Sequence, residues 1–202
     1  MPKVLIKFNT LKQEQERVKY VLSNLEFYKK NNYRISLPLG VENLSDKEIK
    51  NKIEVEYNPD KYQEKIKELS NDWKKMESDF FSKVKKVLNI KPLPKYECYI
   101  TKYGTGGSYN SPNKIIMNIN SQNFGVYTIP HEIIHLLIHS LIEKYKISHW
   151  AKERLVDLYL FEILGFNKLQ TILDQDLVAK VDKVYNEFAA EGAQKVIENI
   201  GS

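Results

Sequence analysis

Histidines at 131 and 135 with a glutamate at 132, in the stretch TIPHEIIHLLIHSLIEKY, constrain this chain more than any other feature. Residues four apart on an α-helix lie one above the other, so both imidazoles project from one face and converge on a single ion. Glu132 is turned about 100° from His131, which lets its carboxylate reach a water beside that ion without becoming a ligand. Ile129, Ile133, Ile134, Leu137, Ile138, Leu141 and Ile142 surround the motif with apolar residues on nearly every side, so the helix carrying it is expected to be buried. Polar groups inside a protein are costly when unpaired, and a bound cation compensates them. The pattern is that of a Zn2+ site with Glu132 as general base.

A catalytic zinc takes a third protein ligand and leaves one position open. Glu153 fits that role: Lys146-Ile147-Ser148 signal a reversal after the motif helix, and a second, antiparallel helix brings Glu153 opposite the histidine pair. Asp157, one turn further, shares its face and is placed to accept the second ring N–H of a ligand histidine. His149, four residues before Glu153, also shares that face and is a candidate oxyanion donor or alternative ligand, ahead of Tyr145 and Tyr159. His139 extends the histidine row, but two helical turns, about 12 Å, separate it from His131, too far to share one small ion. It is expected to be a core or supporting histidine. The metzincin pattern is excluded, since it requires a glycine and a third histidine six residues past the second. Tyr109 is a further candidate to border the cleft.

His131-Glu132-x-x-His135 followed by Glu153-x-x-x-Asp157 resembles the gluzincin, or thermolysin-like, zinc metallopeptidases over roughly residues 96 to 165. The resemblance implies His131, His135 and Glu153 as zinc ligands, Glu132 as the base and Asp157 as support for a histidine. It also implies an edge strand before the motif helix where a peptide or protein substrate docks by strand addition, and KIIMNIN (Lys114–Asn120) lies where that strand would be. The chain has no matched motif for the family's extra His or Tyr that steadies the tetrahedral intermediate. Intracellular peptidases dedicated to one regulatory target show a similar HExxHxxxH pattern, matched here through His139, but they differ at the position of Leu155. Two alternatives follow: a dedicated regulatory protease, or a non-catalytic helical interaction protein with a structural zinc site.

The composition narrows the setting. A hydrophobic fraction of 42% and a charged fraction of 28% are those of an ordinary globular chain. The net charge of +5 comes from lysines interleaved with glutamates, as in KYQEKIKELSNDWKKMESD, which is a solvated helix face; no nucleic-acid partner is expected. No apolar run approaches the roughly 18 residues of a membrane span, no signal peptide is recognisable, and Cys98 is the single cysteine, so a cytoplasmic location is expected.

Periodicity orders the rest. Leu11, Val18, Leu22, Leu25 and Tyr28 predict one helix from about Thr10 to Asn31, and Ser45-Asp46-Lys47-Glu48 has the form of a capping box. Asn58-Pro59 opens a long helix whose stripe runs Tyr62, Ile66, Leu69, Trp73, Met76, Phe80, Val84 and Val87 until Lys91-Pro92-Leu93-Pro94 ends it. Tyr96–Thr101 and Lys114–Asn120 alternate as strands, with Lys102 to Asn113 a glycine-rich loop whose glycines fit no phosphate-binding pattern. Thr128 is expected to cap the motif helix, Ser148 the next, which Gly165 closes, and Lys168 to Ile200 predicts a final amphipathic helix. The fold class is therefore α+β and mostly helical: a zincin-like core with a small antiparallel sheet against the motif helix in residues 93–202, and an N-terminal helical region in residues 1–92, either as two parts or as one compact unit.

Overall fold

Lys3-Val4-Leu5-Ile6-Lys7-Phe8 alternates lysine or exposed leucine with half-buried apolar residues, the period of a strand with one face covered. In the computed structural model, which describes residues 1–166 and 172–201, this segment is strand β1 (Lys3–Phe8), an element not among those expected from the sequence. It joins β2 (Lys95–Thr101), β3 (Gly107–Asn110) and β4 (Lys114–Asn118) in a four-stranded sheet of order β1-β2-β4-β3. β1 pairs with β2 in parallel, Val4 opposite Tyr96, and β2 pairs with β4 in parallel, Cys98 opposite Ile115. Only β3 is antiparallel, with Tyr109 opposite Ile115.

Two expectations are corrected by this topology. The sheet is mixed rather than antiparallel, because long connections separate its parallel neighbours: four helices lie between β1 and β2, and the chain passes outward to β3 before hairpinning back into β4. The second concerns Lys114–Asn120 as a docking edge. Lys114–Asn118 is an interior strand, bonded on one side to β2 and on the other to β3, so its backbone groups are already used. The outer strand beside it is β3, drawn from the stretch expected to be loop.

Tyr96, Cys98 and Ile100 of β2 and Ile115 and Met117 of β4 are fully buried on the sheet face that the helices cover. The long helix before β2, α4 (Gln63–Leu88), contributes Leu69, Trp73, Phe80, Phe81, Val84 and Leu88 to that core. Glu77 fastens β1 to α4: its Oε1 accepts from the Val4 N–H at 2.8 Å and from Trp73 Nε1 at 2.7 Å. The expected N-terminal helix is instead two, α1 (Leu11–Ser23) and α2 (Leu25–Lys30), separated at Asn24, whose side chain donates back to the Tyr20 carbonyl and competes with continued helix. Thr10 and Gln13 form a capping box for α1, and Ser45 and Glu48 form the expected one for α3 (Asp46–Glu56). α1 and α3 share a small core of Val18, Val41, Ile49, Ile53 and Tyr103. Both Tyr103 and the β1–β2 pairing reach across the 92/93 division in the sequence.

The motif helix is α5 (Thr128–Lys144), packed against β3 and β4 and beside α6 (His149–Leu164). Thr128 begins α5 rather than capping it; its hydroxyl donates to the Asn123 carbonyl. The last helical region is broken into α7 (Gln175–Phe188) and α8 (Ala193–Gly201) at Gly192, where φ is +93°. The expected start at Lys168 lies outside the described residues. No helix among the described residues is long and apolar enough to cross a membrane.

Candidate metal centre

Two adjacent helices build the centre. α5 carries His131 and His135 one turn apart, and the turn that follows reverses the chain through Lys146, which adopts a left-handed conformation with φ +51°. Ser148 then caps α6 by accepting from the Ala151 N–H, and α6 returns along α5 with Glu153 in its second turn. His131, His135 and Glu153 come together as a group that could hold a metal ion. The Nε2 atoms of the two histidines are 3.1 Å apart, and Glu153 Oε2 lies 3.3 Å from His135 Nε2 and 3.6 Å from His131 Nε2. His131 keeps 17% of its side chain exposed against 3% for His135, so the centre opens on the His131 side.

Glu132 is buried and packs against the edge of the sheet. A Cβ on Gly107 would stand 2.3 Å from Glu132 Oε1, so the carboxylate occupies space that any other residue at 107 would fill. Asp157 is also buried, one turn past Glu153. Its charge is one of those acting on His131. Among the described residues His135 Nδ1 has no hydrogen-bond partner; the Tyr109 ring stacks on that imidazole at 5.0 Å and 13° instead. His139 stands apart from the cluster, edge-on to Tyr109 at 5.6 Å.

The electrostatics are those of anions crowded into a poorly solvated place. Burial, with help from the charge of Glu153, pushes Glu132 up to about 7 even though His131, Lys152 and Arg17 oppose it. Burial holds His135 well below the ordinary imidazole value. It opposes protonation of His131 too, but the hydrogen bond to Glu153 and the charges of Glu132, Glu153 and Asp157 outweigh it and raise that histidine. Burial likewise works against the Glu153 carboxylate, yet His135, His131 and Lys152 hold it well below the usual range.

Several residues around the centre carry no sequence signal. Tyr33, between α2 and α3, makes a 2.7 Å hydrogen bond through its hydroxyl to His149 Nε2 across 116 positions of sequence. Burial, and then the charges of Glu153 and Glu132, raise the Tyr33 pKa far above its ordinary value, so the phenol keeps its proton. The His149 pKa is itself lowered by burial, its ring packed among Phe27, Tyr33 and Trp150. Lys152 sets its ammonium 3.0 Å from Glu153 Oε1. Arg17 of α1, buried, donates to the Tyr103 carbonyl and to Ser108 Oγ of β3, filling the space a side chain at Gly104 would need. Tyr145 lies at the end of α5, and Tyr159 is buried in the main core beside Tyr185.

The comparisons with known proteins add no relative: no protein-family model, curated protein or solved structure matches the chain.

Proposed function

We propose that this chain is a zinc metallopeptidase on a zincin-like core, with His131, His135 and Glu153 as the ligands and Glu132 as the base. The observation that carries the reading is the convergence of three donor atoms of the right chemistry. A tetrahedral zinc with N and O bonds of about 2.0–2.1 Å sets its ligand atoms about 3.3 Å apart. The edges here are 3.1, 3.3 and 3.6 Å, which bracket that value. Two imidazoles and one carboxylate form the donor set of a hydrolytic rather than a structural zinc, since three protein ligands leave a position open.

Zinc, when bound, supplies a Lewis acid that lowers the pKa of a coordinated water and polarises a carbonyl. The remaining work falls to the chain. Glu132, adjacent to His131 and pressed against β3, takes a proton from the attacking water and returns it to the leaving amine, a role worth about 10²–10⁴-fold. β3, the outer strand of the sheet, lies beside the same carboxylate, which supports an extended peptide adding to that edge. Asp157 steadies His131 electrostatically. His149 meets Tyr33 through Nε2 and sets Nδ1 3.9 Å from Glu153 Oε1, which supports a role in holding that ligand.

The test is zinc analysis with a peptide-library cleavage assay on the wild type and on Glu132→Gln. The proposal expects zinc in both and cleavage in the wild type alone. Equal cleavage by the two defeats it.

A further inference from the structure

The two oxygens of Glu153 face different partners. Oε2 looks to the histidines, 3.3 Å from His135 Nε2 and 3.6 Å from His131 Nε2. Oε1 looks the other way, 3.0 Å from Lys152 Nζ and 3.9 Å from His149 Nδ1.

Lys152 does not reach this position by default. Side chains at neighbouring helix positions diverge by about 100°, and a lysine on a helix ordinarily carries its ammonium out to water. Lys152 keeps only 14% of its side chain exposed, and its Nζ lies 5.5 Å over the ring of Tyr109. Tyr109 is the same ring that stacks on His135. The ammonium is thus held between the edge strand and Glu153, in a ladder of cation, phenol and imidazole that spans β3, α6 and α5. On the other flank the Tyr33 hydroxyl and His149 Nε2 share a 2.7 Å hydrogen bond, and His149 Nδ1 stands 3.9 Å from Oε1.

A carboxylate can bind a cation through one oxygen or both. In a site with two histidines, the second oxygen would take the position that hydrolysis needs open. We infer that Lys152 is a positioning residue that ties up Oε1 and so restricts Glu153 to one-oxygen ligation, with Tyr33 and His149 backing it. The inference rests on the metal reading above. A lysine that merely offset the buried carboxylates of the metal-free protein would alter stability and leave the coordination unchanged, so the two roles separate by experiment.

The test uses the full chain stripped of metal and titrated with Co2+, read by visible absorption, in the wild type, Lys152→Met and Lys152→Arg, with Lys152→Gln as the second neutral variant if the methionine protein does not fold. The wild type gives the intense bands of a four-coordinate ion. The neutral variant loses intensity as Glu153 closes on the ion with both oxygens. Lys152→Arg, which keeps a cationic donor, recovers most of the intensity. A wild-type spectrum from a folded neutral variant overturns the inference. A wild type that takes up no cobalt and no zinc overturns instead the metal reading beneath it.

Discussion

Gly107→Ala separates the position of Glu132 from the stability of the fold. An added Cβ stands 2.3 Å from Glu132 Oε1 and 2.8 Å from Thr128 Cγ2, where ordinary contact begins at 3.4 Å. Gly107 sits in an extended strand, so the backbone tolerates alanine and the effect is one of space alone. Glu132 Oε1, the more crowded of the two, is the far end of a flexible side chain, so the carboxylate retreats by about 1 Å, a displacement that costs about 100-fold at a reacting group. That loss is about 2.7 kcal/mol of transition-state stabilisation. Overpacking costs the fold about 1–3 kcal/mol, or roughly 2–4 °C of Tm for each kcal/mol in a chain of this size. The assay is cleavage of the best library peptide by zinc-matched wild type and variant, with a thermal melt on each. The expected result is a fall in kcat with zinc content unchanged and only a modest Tm shift. A folded, zinc-loaded variant that cleaves within twofold of the wild-type rate refutes the placement of Glu132 as the base against β3.

Other consequences follow from the same geometry. Zinc at a hundred times its Kd stabilises the folded chain by about 2.7 kcal/mol, a rise of roughly 5–10 °C in Tm; His135→Ala abolishes the rise, and an equal rise in that variant places the ion elsewhere. Because the charges around His131 raise its pKa and a ligand histidine must be deprotonated, zinc displaces a proton there, and affinity weakens as pH falls through that raised value. Calorimetry in buffers of different ionisation enthalpy reads the released proton, and an affinity that does not change between pH 8 and 6 contradicts it. Arg17→Met removes donors to Tyr103 and Ser108 and leaves the buried Tyr103 carbonyl without this donor, costing about 1–3 kcal/mol in denaturant unfolding; an unchanged midpoint means those contacts do not hold α1 to β3.

The parts of this protein legible in its sequence are those decided within a few turns of helix. The His131–His135 pairing, the Ser148 cap and the Gly165 stop are local, and they suffice to bring Glu153 back across α5. The long stripe of α4 is likewise local, so its buried face was readable. Strand order is a different problem, since nothing within Lys3–Phe8 states that its partner lies at Lys95–Thr101. The same limit hid β3: in Gly107–Asn110 one glycine serves close approach to Glu132, which in sequence is indistinguishable from turn chemistry. Tyr33 and Arg17 reach their partners across 116 and 91 positions, through packing that no spacing rule encodes. Lys152 was hidden for the opposite reason. Adjacent helical residues ordinarily point apart, and its turn toward Glu153 depends on the Tyr109 ring supplied by the sheet.

The central claim is that His131, His135 and Glu153 hold one catalytic zinc. Isothermal titration of zinc into the metal-stripped full chain, beside a chain carrying both His131→Ala and His135→Ala, tests it most directly. The account predicts one tightly bound zinc per wild-type chain and none in the folded double variant. No uptake by the folded wild type, or equal uptake by both, contradicts it.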